Sequence, residues 1–379
     1  MLNHHKCQKT DPESLGNLSV NSLSLKILEK EILSDIIIQR GLLQSSYWLE
    51  LLGRLSQRVV IITDDHVRDF IAHPIKEQLE KAGFDAVILS IPPGEKSKTR
   101  QVKEDLEDRM FQLGYGRDTT LIAVGGGVVT DLAGFVAATY CRGIPSVTLP
   151  TTLLGQVDAS IGGKVGLNTA FGKNLIGALH HPRWVLIDPD VLTTLGQQEK
   201  RNGMAEIIKY ACIASKSLFE RLQEHVELDD LIYQSCKIKK NIVEQDPQER
   251  GLRRILNFGH TVGHAIEALK EYQLSHGEAV AMGMLVEAHV SWKMGYLAKE
   301  EFQALARLLH KYHFELNSLS NLSATELIRV MKRDKKAALG RIRCVLLENI
   351  GKTVEAAGEY CVAVEEHLIE EVLHVYTQN

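Results

Sequence analysis

Between residues 58 and 188 the chain keeps returning to one device. A short run of β-branched and aliphatic residues is closed by a turn and followed by a longer segment with helical spacing. Residues 58–64, ending in Asp64, form the first run, and 67–82 then place apolar side chains at i, i+3 and i+4. Residues 86–91 form the second, stopped by Pro92-Pro93-Gly94. The third, 119–124, runs straight into Gly125-Gly126-Gly127, with a helix expected over 128–140; runs at 146–150 and 184–188 complete the series. Apolar strands alternating with helices predict a mostly parallel sheet in an α/β domain.

After about Asp190 the period changes. Apolar residues recur at helical spacing over 197–224, 229–245, 259–272, 276–294, 299–313 and 324–336. The expectation is an α/β domain over 23–190 and a mainly α-helical domain over 191–379, preceded by a loose polar extension over 1–22.

Composition narrows the function classes. Of the 379 residues 44% are hydrophobic, enough for a real core, and the formal net charge of -4 gives no general pull toward nucleic acid or an anionic membrane. An anion site must therefore be a local gathering of cations. The six cysteines, at 7, 141, 212, 236, 344 and 361, form no Cys-x-x-Cys pair, which argues against a thiolate zinc site and fits a reducing compartment. No apolar run reaches membrane-spanning length, and residues 1–16 are polar where a signal peptide needs an apolar core. The expected location is the cytoplasm.

Three segments carry chemistry. The triple glycine joins a buried strand to a helix, where free N–H groups and the positive helix end suit a pyrophosphate. A tight turn without a ligand is the plainer alternative, since the Gly-x-Gly-x-x-Gly pattern is missing. Asp64, closing an earlier strand, is placed either to hold ribose hydroxyls or to cap a helix.

The second segment is Asn257-Phe258-Gly259-His260-Thr261-Val262-Gly263-His264. Histidines at i and i+4 share a helix face and can address one ion, with two ordinary polar helix residues as the plainer alternative. His276 follows at a helix start, and Glu206 lies in an apolar stretch where a carboxylate is costly to bury unless paired or metal-bound. One glutamate with two histidines leaves an open coordination position, the pattern of catalytic zinc.

The third feature is the cations: Lys164 and Lys173 beside glycines, then Arg142, Lys209, Lys239, Arg253, Lys335 and Lys336 scattered along the chain. Taken singly these are ordinary surface charges. Lys209 differs, because it shares a helix face with Glu206 at i+3. The basic run 332–336 is too short to argue for nucleic acid in a chain with net negative charge.

Together these segments resemble the 3-dehydroquinate synthase family from about Ile36 to Gly351. The resemblance is carried by Gly125-Gly126-Gly127-Val128-Val129-Thr130-Asp131-Leu132-Ala133-Gly134-Phe135, Pro150-Thr151-Thr152-Leu153-Leu154, Gln156-Val157-Asp158-Ala159-Ser160-Ile161-Gly162-Gly163-Lys164, Gly172-Lys173-Asn174, Ala205-Glu206-Ile207-Ile208-Lys209-Tyr210, the two-histidine segment and Asp334-Lys335-Lys336. It implies a Rossmann-like N-terminal domain, a helical C-terminal domain and an active site between them. It also implies NAD and zinc (cobalt as the alternative ion), a homodimer, and conversion of 3-deoxy-D-arabino-heptulosonate 7-phosphate to 3-dehydroquinate and phosphate. The implied chemistry is that of a carbon–oxygen lyase of the shikimate pathway: transient oxidation by NAD, β-elimination of phosphate, reduction and intramolecular aldol closure.

Carried over by position, the resemblance makes Glu206, His260 and His276 the metal ligands and His264 an acid/base. Asp158, Lys164, Asn174, Lys209, Lys239, Arg253, Asn257 and Lys335 would face substrate, with Arg142 reaching it across the dimer. Asp64, Glu95, Lys98, Gly126, Gly127, Val128, Asp131, Thr151, Thr152, Lys164, Lys173 and Thr194 would face NAD. The chain departs from the family pattern at Arg40, Thr130, Gly155 and Val165, and Thr130 would crowd the dinucleotide. Rival readings are another sugar phosphate cyclase acting on sedoheptulose 7-phosphate, a metal-dependent polyol dehydrogenase, and a silent regulatory protein. The retained set of Glu206, His260, His264 and His276 speaks against the last.

Overall fold

A computed structural model of the chain describes residues 33–271, 273–316, 319, 321–332 and 341–377. The extension expected over 1–22, and Lys335 with Lys336, lie outside the described residues.

Among the described residues the first part holds eight strands: β1 (Asp35–Ile38), β2 (Arg58–Asp64), β3 (Asp85–Ile91), β4 (Thr119–Gly125), β5 (Ser146–Pro150), β6 (Lys164–Thr169), β7 (Gly172–Leu179) and β8 (Trp184–Ile187). Six form one sheet in the order β1-β8-β5-β4-β2-β3, and every pairing is parallel. Strands β6 and β7 pair antiparallel as a separate hairpin. Helices α1 (Tyr47–Gly53), α2 (His73–Lys81), α3 (Arg100–Gln112) and α4 (Gly127–Thr139) alternate with the strands.

The sheet is parallel because its strands have two apolar faces. Along β2, Val59 and Ile61 join one cluster with Trp48, Leu52, Ile75 and Leu79, while Val60 and Ile62 join another with Leu106, Met110, Leu132 and Val136. Alternate residues thus serve opposite helical layers. Each such side chain contributes roughly 1.5–3 kcal/mol relative to leaving it in water. Strand order reverses between β2 and β4, and at such a switch point the strand C-termini open a crevice for ligands. Asp64 and Gly125 end those two strands.

The remainder is mainly helical: α5 (Gln197–Ala214), α6 (Lys216–Leu222), α7 (Leu228–Gln245), α8 (His260–Leu269), α9 (His276–Lys293), α10 (Lys299–Lys311), α11 (Ala324–Met331) and α12 (Glu366–Thr377). Short antiparallel pairs between residues 343 and 363 complete it. Helices α8 and α9 come together at glycines. A Cβ on Gly283 would stand 1.8 Å from the Gly259 carbonyl oxygen, and Gly259 itself has φ +78°. This close approach brings the first residues of both helices, His260 and His276, to one place.

The structure corrects several expectations. The single helix expected over 197–224 is two, because Ser215 is extended (φ -154°, ψ 94°) and its hydroxyl accepts from Leu218 N–H at 3.2 Å, capping α6. The segment 67–82 opens with a π turn over Arg68–Ala72 before α2. The four-residue β1 and the glycine-bearing β6–β7 hairpin carry no clear strand signal in the sequence. Among the described residues no helix is long and apolar enough to cross a membrane.

Candidate active site

Glu206 sits on α5 with 0% exposure, and among the described residues neither carboxylate oxygen receives a well-directed hydrogen bond. Lys209, one turn later and also buried, makes an ion pair with Oε2. Oε1 lies 3.5 Å from His260 Nε2 and 3.4 Å from His276 Nε2. The three ligand atoms all fall within 4.8 Å of one another. A tetrahedral ion with bonds of about 2.0–2.1 Å holds its ligand atoms roughly 3.4 Å apart, so two of the three edges already have that length. His260 Nδ1 lies 3.1 Å from the Phe258 carbonyl, which leaves Nε2 facing the cluster.

His276 faces carboxylates on both sides. Burial lowers its pKa, but Glu206 and Glu267 more than offset this and raise it to about 10. The buried Glu206 carboxylate, which receives no well-directed hydrogen bond from the described residues, and two imidazoles fit a zinc-like cation. His264 packs edge-on to His260 with ring centroids 5.4 Å apart, one turn from the cluster and outside the ligand set.

A second group of charges adjoins this one. Asp158, in the turn after β5, accepts from Lys239 Nζ through its main-chain oxygen at 2.6 Å and its carboxylate at 2.7 Å, and it pairs with the Tyr210 hydroxyl. Burial pushes its carboxyl up, but Lys239 and Lys209 pull it well below the usual range. Arg253 is 2% exposed; it donates to the Pro247 carbonyl and the Gly162 carbonyl, each at 2.8 Å, and its Nε has no hydrogen-bond partner among the described residues. Burial lowers its pKa. Lys164 makes an ion pair with Glu249, and Asn257 Nδ2 donates to the same carboxylate at 2.7 Å.

At the strand C-termini, Asp64 Oδ1 accepts from the N–H groups of His66 at 2.9 Å and Val67 at 3.2 Å, which closes the turn after β2; the helical segment that begins at Arg68 has no side-chain cap. Gly126, Gly127 and Val128 lead into α4, and Thr151 N–H closes back on the Gly125 carbonyl at 3.0 Å. Thr152 Oγ1 caps Gly155 N–H at 3.0 Å, and a Cβ on Gly126 would stand 2.9 Å from Thr152 Cγ2. Lys98 gathers residues read separately from sequence, binding both Asp131 and Asn174, while Glu95 accepts from Asn168 at 2.7 Å. These contacts pin the hairpin to α4 and the turn after β3. Arg142 and Thr194 are exposed, in turns after α4 and before α5. Arg142 has φ +70° and the preceding Cys141 φ +50°.

Three carboxylates at the site were not singled out in the sequence. Glu249 accepts from Asn257 and pairs with Lys164, and Lys164 draws its pKa below normal against the effect of burial. Glu267 accepts from Lys173 at 3.0 Å and faces His276 Nδ1; burial opposes its ionisation, yet His276 and Lys173 hold its pKa down to about 2. Glu287, on α9 and fully buried, accepts from Gly259 N–H at 2.8 Å and Thr261 N–H at 3.1 Å, capping the helix that begins at His260. Glu267 had a signal: it lies seven residues after His260 and three after His264, on their helix face.

Among the departures, Thr130 is buried and turns its hydroxyl onto the Gly127 carbonyl at 3.1 Å. Arg40 donates to Asp190 at 2.6 Å and to both oxygens of Asp229. Val165 packs where a Cβ on Gly134 would come within 2.4 Å.

Comparison with known proteins gives a consistent result. Residues 88–202 match the family model for the 3-dehydroquinate synthase N-terminal domain, and residues 203–337 match that for the C-terminal domain. The 3-dehydroquinate synthase of Desulforamulus reducens is 43% identical over 308 residues, covering 79% of this chain and 86% of its own. A 2-epi-5-epi-valiolone synthase from Streptomyces hygroscopicus subsp. jinggangensis 5008, solved with NAD+ and Zn2+ bound, superposes with a TM-score of 0.82 at 27% identity over 93% of this chain and 99% of its own. A 2-deoxy-scyllo-inosose synthase complexed with carbaglucose-6-phosphate, NAD+ and Co2+ gives 0.80 at 25% identity over 90% and 96%.

Proposed function

This chain belongs to the 3-dehydroquinate synthase family, and from that premise we propose how its residues divide the work of turning 3-deoxy-D-arabino-heptulosonate 7-phosphate into 3-dehydroquinate and phosphate. The observation that carries the reading is the buried, hydrogen-bond-starved Glu206 facing His260 and His276, next to a set of buried cations.

Glu206, His260 and His276 would hold a zinc ion, with cobalt as the alternative. When bound, the metal supplies a Lewis acid for a substrate hydroxyl, and NAD supplies a hydride acceptor that is regenerated within the cycle. The protein's own part is positioning and proton handling. Lys164, Lys209, Lys239, Arg253, Asn257 and Asn174 would receive the phosphate, carboxylate and hydroxyls, with Asp158 holding Lys239 in place. Lys335 joins them in this reading. Lys164 and Asn257 meet Glu249, so an incoming anion would take over the place of that carboxylate. His264, beside His260 yet outside the ligand set, would exchange protons.

NAD would lie over the β2/β4 crevice. Gly126, Gly127 and Val128 would meet its pyrophosphate at the start of α4, with Asp64, Glu95, Lys98, Asp131, Thr151, Thr152, Lys164, Lys173 and Thr194 around it. The boundary near residue 190 separates this part from the helical part. We further propose a cytoplasmic homodimer in which the exposed Arg142, held in left-handed backbone, serves the partner's site.

A second reading is favoured by the two structural neighbours, cyclases of other sugar phosphates. One assay separates them. The purified protein with NAD+ and zinc should release phosphate from the heptulosonate phosphate without net NADH. Phosphate release from sedoheptulose 7-phosphate in its place would overturn the substrate assignment, and stoichiometric NADH would favour a polyol dehydrogenase.

A further inference from the structure

Glu267 takes no part in the division of labour above, yet it is a buried carboxylate at the centre of the site. It lies on α8 with 3% exposure. Its Oε1 accepts from Lys173 Nζ at 3.0 Å and stands 3.5 Å from His276 Nδ1. The opposite ring nitrogen of His276 faces Glu206 Oε1 at 3.4 Å. The imidazole is thus bracketed by two carboxylates, one on each nitrogen.

The two carboxylates cannot serve the same purpose. Glu206 and His276 Nε2 point into the same group of three ligand atoms. Glu267 stands outside that group, on the far side of the ring. A histidine whose Nδ1–H is taken by a carboxylate presents Nε2 as its lone pair, and such an outer carboxylate also strengthens the ligand. Burying a negative charge is costly unless it is paired. Here the pairing is shared with a lysine from β7, a different element of the chain. One oxygen therefore joins an α9 histidine to the β6–β7 hairpin.

We propose that Glu267 is a positioning residue that fixes His276 as an Nε2 metal ligand and, through Lys173, couples metal binding to dinucleotide binding. The inference rests on the metal and NAD reading given above. Loss of Glu267 should free the ring to rotate and leave Lys173 without this anchor. Zinc and NAD+ should then each bind more weakly, and the binding of one should no longer strengthen the other.

The test is a set of binding titrations on wild type, Glu267→Gln, Glu267→Ala, Lys173→Ala and the Lys173→Ala/Glu267→Gln double variant. Zinc affinity is read by competition with a chromogenic chelator, with and without NAD+. The Co2+ absorption spectrum reports the ligand field, and circular dichroism with EDTA present reports folding. We expect Glu267→Gln to lose roughly 10–100-fold in zinc affinity while staying folded, with Glu267→Ala losing at least as much. Lys173→Ala should lower zinc affinity in the wild-type background and have no added effect beside Glu267→Gln. A folded Glu267→Gln protein with wild-type zinc affinity and an unchanged Co2+ spectrum overturns the proposal. Should Glu267 variants fail to fold, Lys173→Ala decides: unaltered zinc affinity, with and without NAD+, overturns the coupling. A His276→Ala protein that keeps zinc removes the ligand set itself, a failure distinct from the others because it occurs with Glu267 intact.

Discussion

Arg253 Nη2 donates to the Gly162 carbonyl at 2.8 Å, and a Cβ on Gly162 would stand 2.5 Å from that same nitrogen. The glycine therefore does two things for the arginine. It accepts a hydrogen bond, and it leaves the space in which the guanidinium lies. Its φ of +102° is one that a side chain resists.

Gly162→Ala should accordingly damage the site more than the fold. Backbone strain of about 1–3 kcal/mol will lower the melting temperature. The displaced guanidinium loses a hydrogen bond to a charged donor worth about 1.5–3 kcal/mol, so kcat/KM should fall roughly tenfold to a hundredfold. Steady-state kinetics beside a thermal melt will check this. A variant that melts earlier yet keeps full kcat/KM would show that Arg253 does not address the substrate.

The two histidines of the 257–264 segment should separate cleanly on mutation. His264→Ala should retain zinc and lose about 10²–10⁴-fold in turnover, the usual contribution of a positioned proton donor or acceptor. His260→Ala and His276→Ala should lose the metal, since each removes one of the three proposed ligands, the third being Glu206. Metal analysis after gel filtration, paired with turnover, distinguishes the outcomes. Zinc lost from His264→Ala would move that residue into the ligand set.

How far the sequence showed this in advance depended on whether a signal was local. Strands β2 and β4 were legible because Val59 to Ile62 and Leu121 to Val124 have no polar alternation to offer water, whereas the four residues of β1 are too short a run to stand out. The antiparallel hairpin was not, because Gly166, Gly172 and Gly177 interrupt any alternating pattern. The helical break at Ser215 depends on one capping hydroxyl inside an otherwise helical run. His260 and Glu206 stood out by their motifs. Glu249, Glu267 and Glu287 did not, because a glutamate in a helical or polar segment looks like surface until the fold buries it. Lys98 illustrates the same limit: its partners Asp131 and Asn174 lie 33 and 76 residues away.

Glu249 offers a test of how the anion site is kept when no substrate is present. Its carboxylate binds Asn257 and Lys164, both proposed to face substrate. If it holds the place of a substrate anion, Glu249→Gln should bind inorganic phosphate several-fold more tightly than wild type, since a neutral amide competes poorly for Lys164. Isothermal titration with phosphate measures this directly. Equal affinity in both proteins would mean that phosphate never meets Lys164 and Asn257 at that position.

The last prediction concerns stability against acid, far from the proposed chemistry. His289 on α9 is buried against Trp292 and Phe302, which also stack on each other, with Nδ1 2.9 Å from the Tyr376 hydroxyl. Burial first, and then Lys293, lower its pKa from 6.5 to about 4. Between those values the unfolded chain takes up a proton that the folded chain refuses, so stability must fall as pH falls through that window and is fully present above 6.5. The shift corresponds to at most about 3 kcal/mol, less whatever solvent screening reaches the ring. His289→Phe keeps a ring in the aromatic stack and removes the titration. Urea unfolding at pH 7 and pH 5 should show a smaller loss on acidification for the variant than for wild type. Parallel losses would mean that the imidazole is protonated in the folded protein, with water reaching it past Tyr376.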